Sequence, residues 1–205
     1  MMRTPKILLF LFISCLCFGC QSSLRRESRI EKQDDVYVLS FANLSFSVSA
    51  GKGGRIVSFK CEDRELLTSD SVHSKYYGAT FWLSPQSEYW PQYQCVDELS
   101  YQAEIDKQIL RLVSPPDSIS GVSVTKEFSI SERDSSILIH YSVRNVSRQL
   151  KRLAPWDVTR VYGGLSFFPV GETDQMNKSD VTGGYEDKGM VWVPCPDGTN
   201  ERGQK

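Results

Sequence analysis

The sequence predicts an all-β protein built as a large antiparallel β-sandwich. Three observations carry this prediction: short segments in which apolar and polar residues alternate, clusters of turn-forming residues between them, and the lack of a long amphipathic helical pattern. The chain has 205 residues, of which 40% are hydrophobic and 24% charged, an ordinary composition for a globular domain. This length suggests one domain.

The clearest strand signal lies at residues 44–50, LSFSVSA, where four apolar residues alternate with three serines. Residues 51–54, GKGG, predict a turn because glycine adopts positive φ without steric cost. Residues 55–61, RIVSFKC, then predict the second strand of a hairpin. Further strands are predicted at residues 108–114, 122–130, 135–145 and 190–193, with breaks at 115–121 and 131–134.

The N-terminus has the pattern of a targeting segment. Arg3 and Lys6 form a positive region, and the mainly apolar stretch of twelve residues after Lys6 is too short for a membrane-spanning helix, which needs about 20 apolar residues. Gly19 followed by Cys20 resembles a bacterial lipoprotein signal, in which the cysteine is lipidated. We therefore expect lipidation at Cys20 and anchoring in the bacterial cell envelope, at the outer membrane or the periplasmic face. Simple secretion is the alternative.

These signals divide the chain into a signal peptide at residues 1–19, a polar tether at residues 20–35 and a β-sandwich domain at residues 36–205. The tether lacks a strong apolar period, as expected of a linker. After residue 193 the sequence becomes polar and offers no closing strand. We therefore expect the sandwich to be incomplete at its C-terminus, with its last strands missing.

The cysteine content allows several pairings. Cys15, Cys17 and Cys20 belong to the lipoprotein signal, which leaves Cys61, Cys95 and Cys195, and this odd number permits at most one disulfide. Three buried free cysteines are the alternative. No Cys-x-x-Cys pair occurs, which argues against a zinc knuckle and against a thioredoxin-like redox site. Cys15, which follows Ser14, is an alternative lipidation site.

Charge and motif content argue against several function classes. Removing Arg3 and Lys6 with the signal peptide leaves 22 of the 24 basic residues against 25 acidic ones, without a basic run that could follow phosphates. AGKGGR lacks the spacing of a phosphate loop, no Gly-x-Ser-x-Gly occurs, and His73 and His140 cannot form a three-histidine metal site. We expect no nucleic-acid partner, no metal and no cofactor.

The segment GATFWLSPQSEYWPQY, residues 78–93, contains two of the four tryptophans. Aromatic faces bind sugar rings because the ring C–H edges are apolar, while nearby amides and carboxylates fix the hydroxyls. Trp82 and Trp90 are therefore candidate platforms, and Gln86 is a candidate hydrogen-bonding group. The alternative interpretation is an aromatic plug in the hydrophobic core.

A second candidate segment is APWDVTRVYGG, residues 154–164. In a strand, Trp156 and Asp157 face opposite sides of the sheet, so Trp156 is a core or cleft-wall residue and Asp157 a rim carboxylate or hydroxyl acceptor. Arg160 is a candidate for the same site. His140, on the polar face of its strand, either lines a concave site or is solvated. Asp157 and His140 are the candidate groups for proton transfer.

The motifs GGRI, FWLSPQ, YSVRN and APWDVT occur in this order and resemble the galactose mutarotase-like superfamily. Within it, the chain most resembles an uncharacterised family of bacterial envelope proteins, over residues 36–169. The resemblance implies a large antiparallel β-sandwich with a sugar-binding cleft on its concave face. Mutarotases in this superfamily use a histidine and a glutamate, but APWDVT contains no histidine, and the catalytic glutamate belongs near the family's C-terminus.

Three functions follow as hypotheses. The first is a carbohydrate-binding envelope lipoprotein without catalysis, which takes a mono- or oligosaccharide. The second is an aldose 1-epimerase-type enzyme that uses Asp157 or His140 in general acid–base catalysis. The third is an inactive structural remnant, in which missing strands leave backbone edges unpaired. The sequence leaves the identity of the sugar and the oligomeric state open.

Overall fold

The computed structural model describes residues 27–171 and 183–195. The predicted signal peptide, the lipidation site Cys20 and residues 196–205 lie outside the described residues. Within the described ranges the chain is mostly antiparallel strand with two four-residue helices, so the predicted all-β class and sandwich architecture are confirmed.

The first sheet has seven strands among the described residues, in the order β1-β2-β3-β4-β6-β11, with β5 paired to β4. These strands are β1 (Arg29–Gln33), β2 (Val36–Phe41), β3 (Leu44–Ser49), β4 (Arg55–Cys61), β5 (Arg64–Glu65), β6 (Ala79–Ser84) and β11 (Ala154–Thr159). The sheet combines local hairpins with one distant strand, β11, which pairs with β6 in the antiparallel direction.

A second sheet has the order β10-β9-β8-β7, and a smaller third sheet has the order β12-β14-β13. The second comprises β7 (Gln102–Asp106), β8 (Ile109–Val113), β9 (Val122–Ser131) and β10 (Ser136–Asn145). The third comprises β12 (Gly164–Pro169), β13 (Tyr185–Asp187) and β14 (Met190–Cys195). Two short helices, α1 (Gln86–Tyr89) and α2 (Gln94–Asp97), connect β6 to β7.

The hydrophobic core lies between the first two sheets. Its inward residues alternate along the strands, and the rings of Phe46 and Phe128 meet across the interface with centroids 5.9 Å apart. Burying one such apolar side chain contributes roughly 1.5–3 kcal/mol. The central residues of this core are Leu39, Phe46, Val48, Phe81, Leu83, Leu110, Leu112, Val122, Val124 and Phe128.

The predicted strands and the glycine turn are confirmed, with ends shifted by at most two residues. In the turn, Gly53 has φ of 64°, and a Cβ there would overlap the backbone of Asp97. Gly53 N also donates to Leu99 O at 3.0 Å. Glycine is therefore required at this position both by backbone conformation and by the close approach of α2.

The prediction of a tether up to residue 35 is wrong for residues 29–33, which form β1 and pair with β2. Ile30 packs against the core, and Arg29 pairs with Glu31 at 3.3 Å. An edge strand needs only one apolar contact because its backbone bonds to the neighbouring strand, so it leaves little hydrophobic period in the sequence. The described fold thus starts before the predicted domain boundary at residue 36.

The inward face of β9 contains one residue that the apolar pattern did not reveal. The alternation at residues 122–130 predicts Val122, Val124, Phe128 and Ile130 on this face; the first three are fully buried, and Ile130 is partly buried against the core. Lys126 lies between them in the same alternation and is only 1% exposed. The core therefore encloses an ionisable side chain.

Cys61, in β4, and Cys95, in α2, are both free thiols.

Candidate functional site

Strand β6 divides the aromatic segment between two sides of the first sheet. Phe81 and Leu83 face the core, with 1% and 0% exposure. Trp82 faces the other side, because successive residues of a strand alternate. Tyr89 also belongs to the core cluster. The core and site interpretations of this segment therefore apply to different residues within it.

Four side chains surround Trp82 on the outer side of the sheet, and together these five residues are called the Trp82 cluster. The ring centroid of Trp82 lies 5.2 Å from that of Trp90, 5.5 Å from Trp156 and 6.1 Å from Tyr76, all in edge-to-face geometry. The Cζ of Arg160 lies 5.3 Å from the Trp82 ring. Trp82 and Trp156 are direct cross-strand neighbours in the β6–β11 pair.

Exposure assigns different roles to the two candidate platforms. Trp82 is 6% exposed because its neighbours cover it, so it forms the floor of the cluster rather than a platform. Trp90 is 44% exposed and presents its ring to solvent. Trp156 and Arg160 are half-buried. Gln86 is exposed at the start of α1. The fold thus brings Trp82, Trp90, Trp156 and Arg160 together, and of the two tryptophans expected to be platforms only Trp90 is exposed.

A buried carboxylate that sequence reasoning missed lies against this floor. Asp97, in α2, is 6% exposed, and its Oδ2 accepts hydrogen bonds from Arg55 Nη2 at 2.8 Å and Trp82 Nε1 at 3.2 Å. Its Oδ1 is buried and has no hydrogen-bond partner within the described part of the chain. Burial raises the pKa of Asp97, while the charges of Arg55 and Lys126 oppose this rise.

A small pocket of about 30 Å³ lies beside the cluster. Such a volume accommodates one small polar group, such as a hydroxyl or a water molecule, rather than a whole ligand. Asp97 lines the pocket together with aromatic rings and polar side chains. The lining residues are Lys75, Tyr76, Trp82, Trp90, Pro91, Gln92, Tyr93, Asp97 and Glu98.

Arg160 follows β11 and is held in place by its backbone and by aromatic rings. Its backbone N donates to Gly78 O at 3.0 Å, and its Nη1 donates to Thr80 Oγ1 at 3.1 Å and Val158 O at 3.3 Å. The guanidinium also lies 5.6 Å from the ring centroid of Tyr76. Burial lowers the pKa of Arg160, but a guanidinium remains charged in proteins.

The two candidate proton-transfer groups are not brought together. Asp157 is paired in register with Phe81, and it accepts hydrogen bonds from Tyr141 Oη at 2.8 Å and Thr159 Oγ1 at 3.0 Å. Burial, with Asp157 nearby, raises the pKa of Tyr141. His140 adjoins Tyr141 in β10, so its side chain points to the opposite face of that strand. There it is exposed, with Nε2 3.2 Å from Ser142 Oγ.

Lys126 approaches the same region from the core. Its Nζ donates to Gly53 O at 2.6 Å and lies 5.4 Å from the ring centroid of Phe81 and 5.2 Å from that of Tyr101. Burial lowers the pKa of Lys126 to about 8, although Asp97 and Asp157 favour its charged form. The glycine turn and α2 are therefore linked by buried charges.

Comparisons of the chain with protein-family profiles, with curated proteins and with solved structures found no match. Among the described residues, no group of three or more His, Cys, Asp and Glu side chains could hold a metal ion. A search of the same residues for a helix long and apolar enough to cross a membrane also found none.

Proposed function

We propose that this chain is a carbohydrate-binding domain of a bacterial envelope lipoprotein, and that the sugar binds at the Trp82 cluster. One observation carries the proposal. The exposed ring of Trp90 adjoins a pocket lined by Asp97, a buried carboxylate whose Oδ1 has no hydrogen-bond partner in the described part of the chain. An aromatic face beside a fixed acceptor is the combination that sugar rings require.

Trp90 is the platform in this proposal. Its edge-to-face contact with Trp82 restricts its orientation before a ligand arrives, and this reduces the entropy lost on binding. The apolar C–H face of a pyranose can then cover the exposed part of the Trp90 ring. Removing this apolar surface from water favours association.

Asp97 supplies the polar part of the recognition. Arg55 and Trp82 both donate to Oδ2, which fixes the carboxylate orientation, while the buried Oδ1 has no hydrogen-bond partner in the described part of the chain. A buried acceptor without a partner costs about 1–3 kcal/mol. A sugar hydroxyl that enters the pocket and donates to Oδ1 recovers this cost, whereas an apolar group in the same place does not.

Binding without catalysis fits the described residues better than mutarotation. General acid–base catalysis needs two proton-transfer groups on either side of one sugar ring. Asp157 is engaged by Tyr141 and Thr159, whereas His140 lies on the opposite face of β10. The lipoprotein part of the proposal rests on the Gly19-Cys20 pattern, and Cys20→Ser should abolish incorporation of labelled fatty acid in a bacterial host.

Tryptophan fluorescence tests the sugar proposal directly, because three of the four tryptophans lie in the cluster. Titration with glucose, galactose and their oligosaccharides should change the emission of the native protein at saturating concentrations. Trp90→Ala should weaken binding about tenfold or more, as expected for an aromatic anchor. The matched control is Trp192→Phe, since Trp192 contacts Phe167 in the third sheet.

Thermal unfolding accompanies the titration and separates this proposal from the structural-remnant hypothesis. A cooperative melt together with sugar-dependent emission supports a binding domain. A cooperatively folded protein whose emission is unchanged across neutral and charged sugars would refute the proposal. A non-cooperative melt with exposed hydrophobic surface would favour the remnant instead.

A further inference from the structure

Arg160 is the cation of the Trp82 cluster whose charge has no carboxylate partner among the described residues. Two other cations near the cluster are paired with carboxylates. Arg55 pairs with Asp97 at 2.8 Å, and Lys75 pairs with Glu98 at 3.4 Å. Arg160 Nη1 donates to a threonine hydroxyl and a backbone carbonyl, both neutral acceptors. The Nε and Nη2 groups of Arg160 make no hydrogen bond within the described ranges.

This arrangement is a fixed donor set for an anion. A guanidinium offers a planar fork of N–H donors that matches a carboxylate, and stacking on aromatic rings limits its motion. Arg160 lies within 5.6 Å of two ring centroids, those of Trp82 and Tyr76, and its backbone is hydrogen-bonded to Gly78. The orientation of the fork is therefore determined before a ligand binds.

A half-buried charge without a counter-charge is unfavourable in the free protein. Burial and the repulsion from Arg55 both disfavour the charged form of Arg160, while Asp97 and Asp157 act at longer range in the other direction. An incoming carboxylate supplies the missing counter-charge. A neutral sugar does not, so the two kinds of ligand should differ in affinity.

We propose that the Trp82 cluster selects acidic carbohydrate, in which a carboxylate on the sugar pairs with Arg160 while the pyranose ring covers Trp90. This inference rests on the proposed sugar-binding function and deepens it by naming the ligand class. Arg160 and Trp90 both adjoin the Trp82 ring, at 5.3 and 5.2 Å from its centroid, and the proposed ligand spans this ring to reach both. The chemistry is that of a uronic acid or another carboxylated sugar.

The test compares four probes by fluorescence titration of the full chain: glucose oligosaccharides, galactose oligosaccharides, oligogalacturonate and acetate. Oligogalacturonate should bind about tenfold or more tightly than either neutral oligosaccharide, as expected for a charge-assisted bond. The preference should shrink with added NaCl, since the interaction is between charges at a partly solvated site.

Variants assign the preference to Arg160. Arg160→Gln should bring the ratio of acidic to neutral affinity close to one, and Arg160→Lys, which keeps the charge but loses the fork, should give an intermediate ratio. Arg144→Gln, an exposed position in β10, is the matched control and should keep the native ratio. Thermal melts show whether each variant is folded. If Arg160→Gln does not fold, the ratio of acidic to neutral affinity in the native protein, with its salt dependence, serves as the test.

Each outcome is decisive. Equal affinity for acidic and neutral oligosaccharides would overturn the inference and leave the proposed sugar-binding function intact. Acetate binding as tight as oligogalacturonate binding would also overturn it, because the site would then be a simple anion site. Loss of binding to both sugar classes in a folded protein would refute the proposed function and the inference together.

Discussion

Replacing Lys126 with methionine should abolish the contribution of this lysine to the pH dependence of the free energy of unfolding above pH 8. Lys126 is 1% exposed, and burial lowers its pKa from 10.5 to about 8, with Asp97 and Asp157 opposing the shift. Methionine is unbranched, apolar and similar in length, and it cannot titrate. The variant therefore keeps most of the packing while removing the proton equilibrium.

The direction of the effect follows from the two pKa values. The folded protein releases the Lys126 proton near pH 8, whereas the unfolded chain keeps it until about pH 10.5. Between these values the unfolded state binds more protons, so the free energy of unfolding rises with pH. Integrating this relation for one group gives an increase of about 2 kcal/mol from pH 8 to pH 10.

Other buried groups titrate in the opposite direction over the same range. Burial raises the pKa of Cys95 from 9.0 to about 11, so its contribution to stability falls as pH rises above 9. The raised pKa of Tyr101 adds a similar decrease above pH 10. Both groups remain in Lys126→Met, so the difference between native and variant curves isolates the lysine.

The assay is urea unfolding followed by far-UV circular dichroism at pH 7, 8, 9 and 10. Native stability minus variant stability should increase by about 2 kcal/mol between pH 8 and pH 10. Lys60→Met, at an exposed position of β4, is the control and should give a flat difference. Parallel native and Lys126→Met curves would refute the argument that burial controls this proton.

Three further predictions concern the region around α2. Asp97→Asn leaves Arg55 buried without a counter-charge, so the free energy of unfolding measured in urea should fall by about 3–5 kcal/mol. An unchanged free energy of unfolding would contradict the pairing. Gly53→Ala forces a Cβ against the backbone of Asp97 and should therefore lower the melting temperature. Gly189 has a similar φ, but a Cβ there would meet open space, so Gly189→Ala should lower the melting temperature by less. Equal losses in the two variants would argue against the contact. Cys95 is buried and its pKa is raised, so a thiol reagent at pH 8 should label it far more slowly than half-buried Cys61, and equal rates would count against that burial.

The strands could be predicted because each depends on a period that is visible within ten residues. The hairpin at 44–61 and the apolar inward residues of β9 follow from alternation alone, whereas the burial of Lys126 does not. The edge strand β1 was missed because backbone pairing rather than apolar content holds it. The pairing of β11 with β6 joins residues 70 to 80 positions apart, and no local pattern encodes such a contact.

The candidate site was predicted in part for the same physical reason. Residue types and alternation identified Trp82, Trp90, Trp156 and Arg160, which the fold brings together. Asp97 was missed because α2 is a single helical turn without an amphipathic period. Its burial depends on the approach of the glycine turn and Arg55, and such tertiary contacts leave no local signal.

The floor of the cluster and the core are two sides of one strand, and this explains why the cluster can be rigid. Phe81 contacts Lys126 on the core side of β6, while Trp82 contacts Asp97 on the outer side. Asp97 accepts a hydrogen bond from Arg55, which belongs to β4. Lys126 donates to Gly53 in the glycine turn that precedes β4. In the proposed binding mode, a ligand that engages Asp97 acts on a carboxylate whose two hydrogen-bond donors, Arg55 and Trp82, are both buried. Because buried neighbours have few alternative positions, the proposed site would be fixed before binding and would lose little entropy when a sugar arrives.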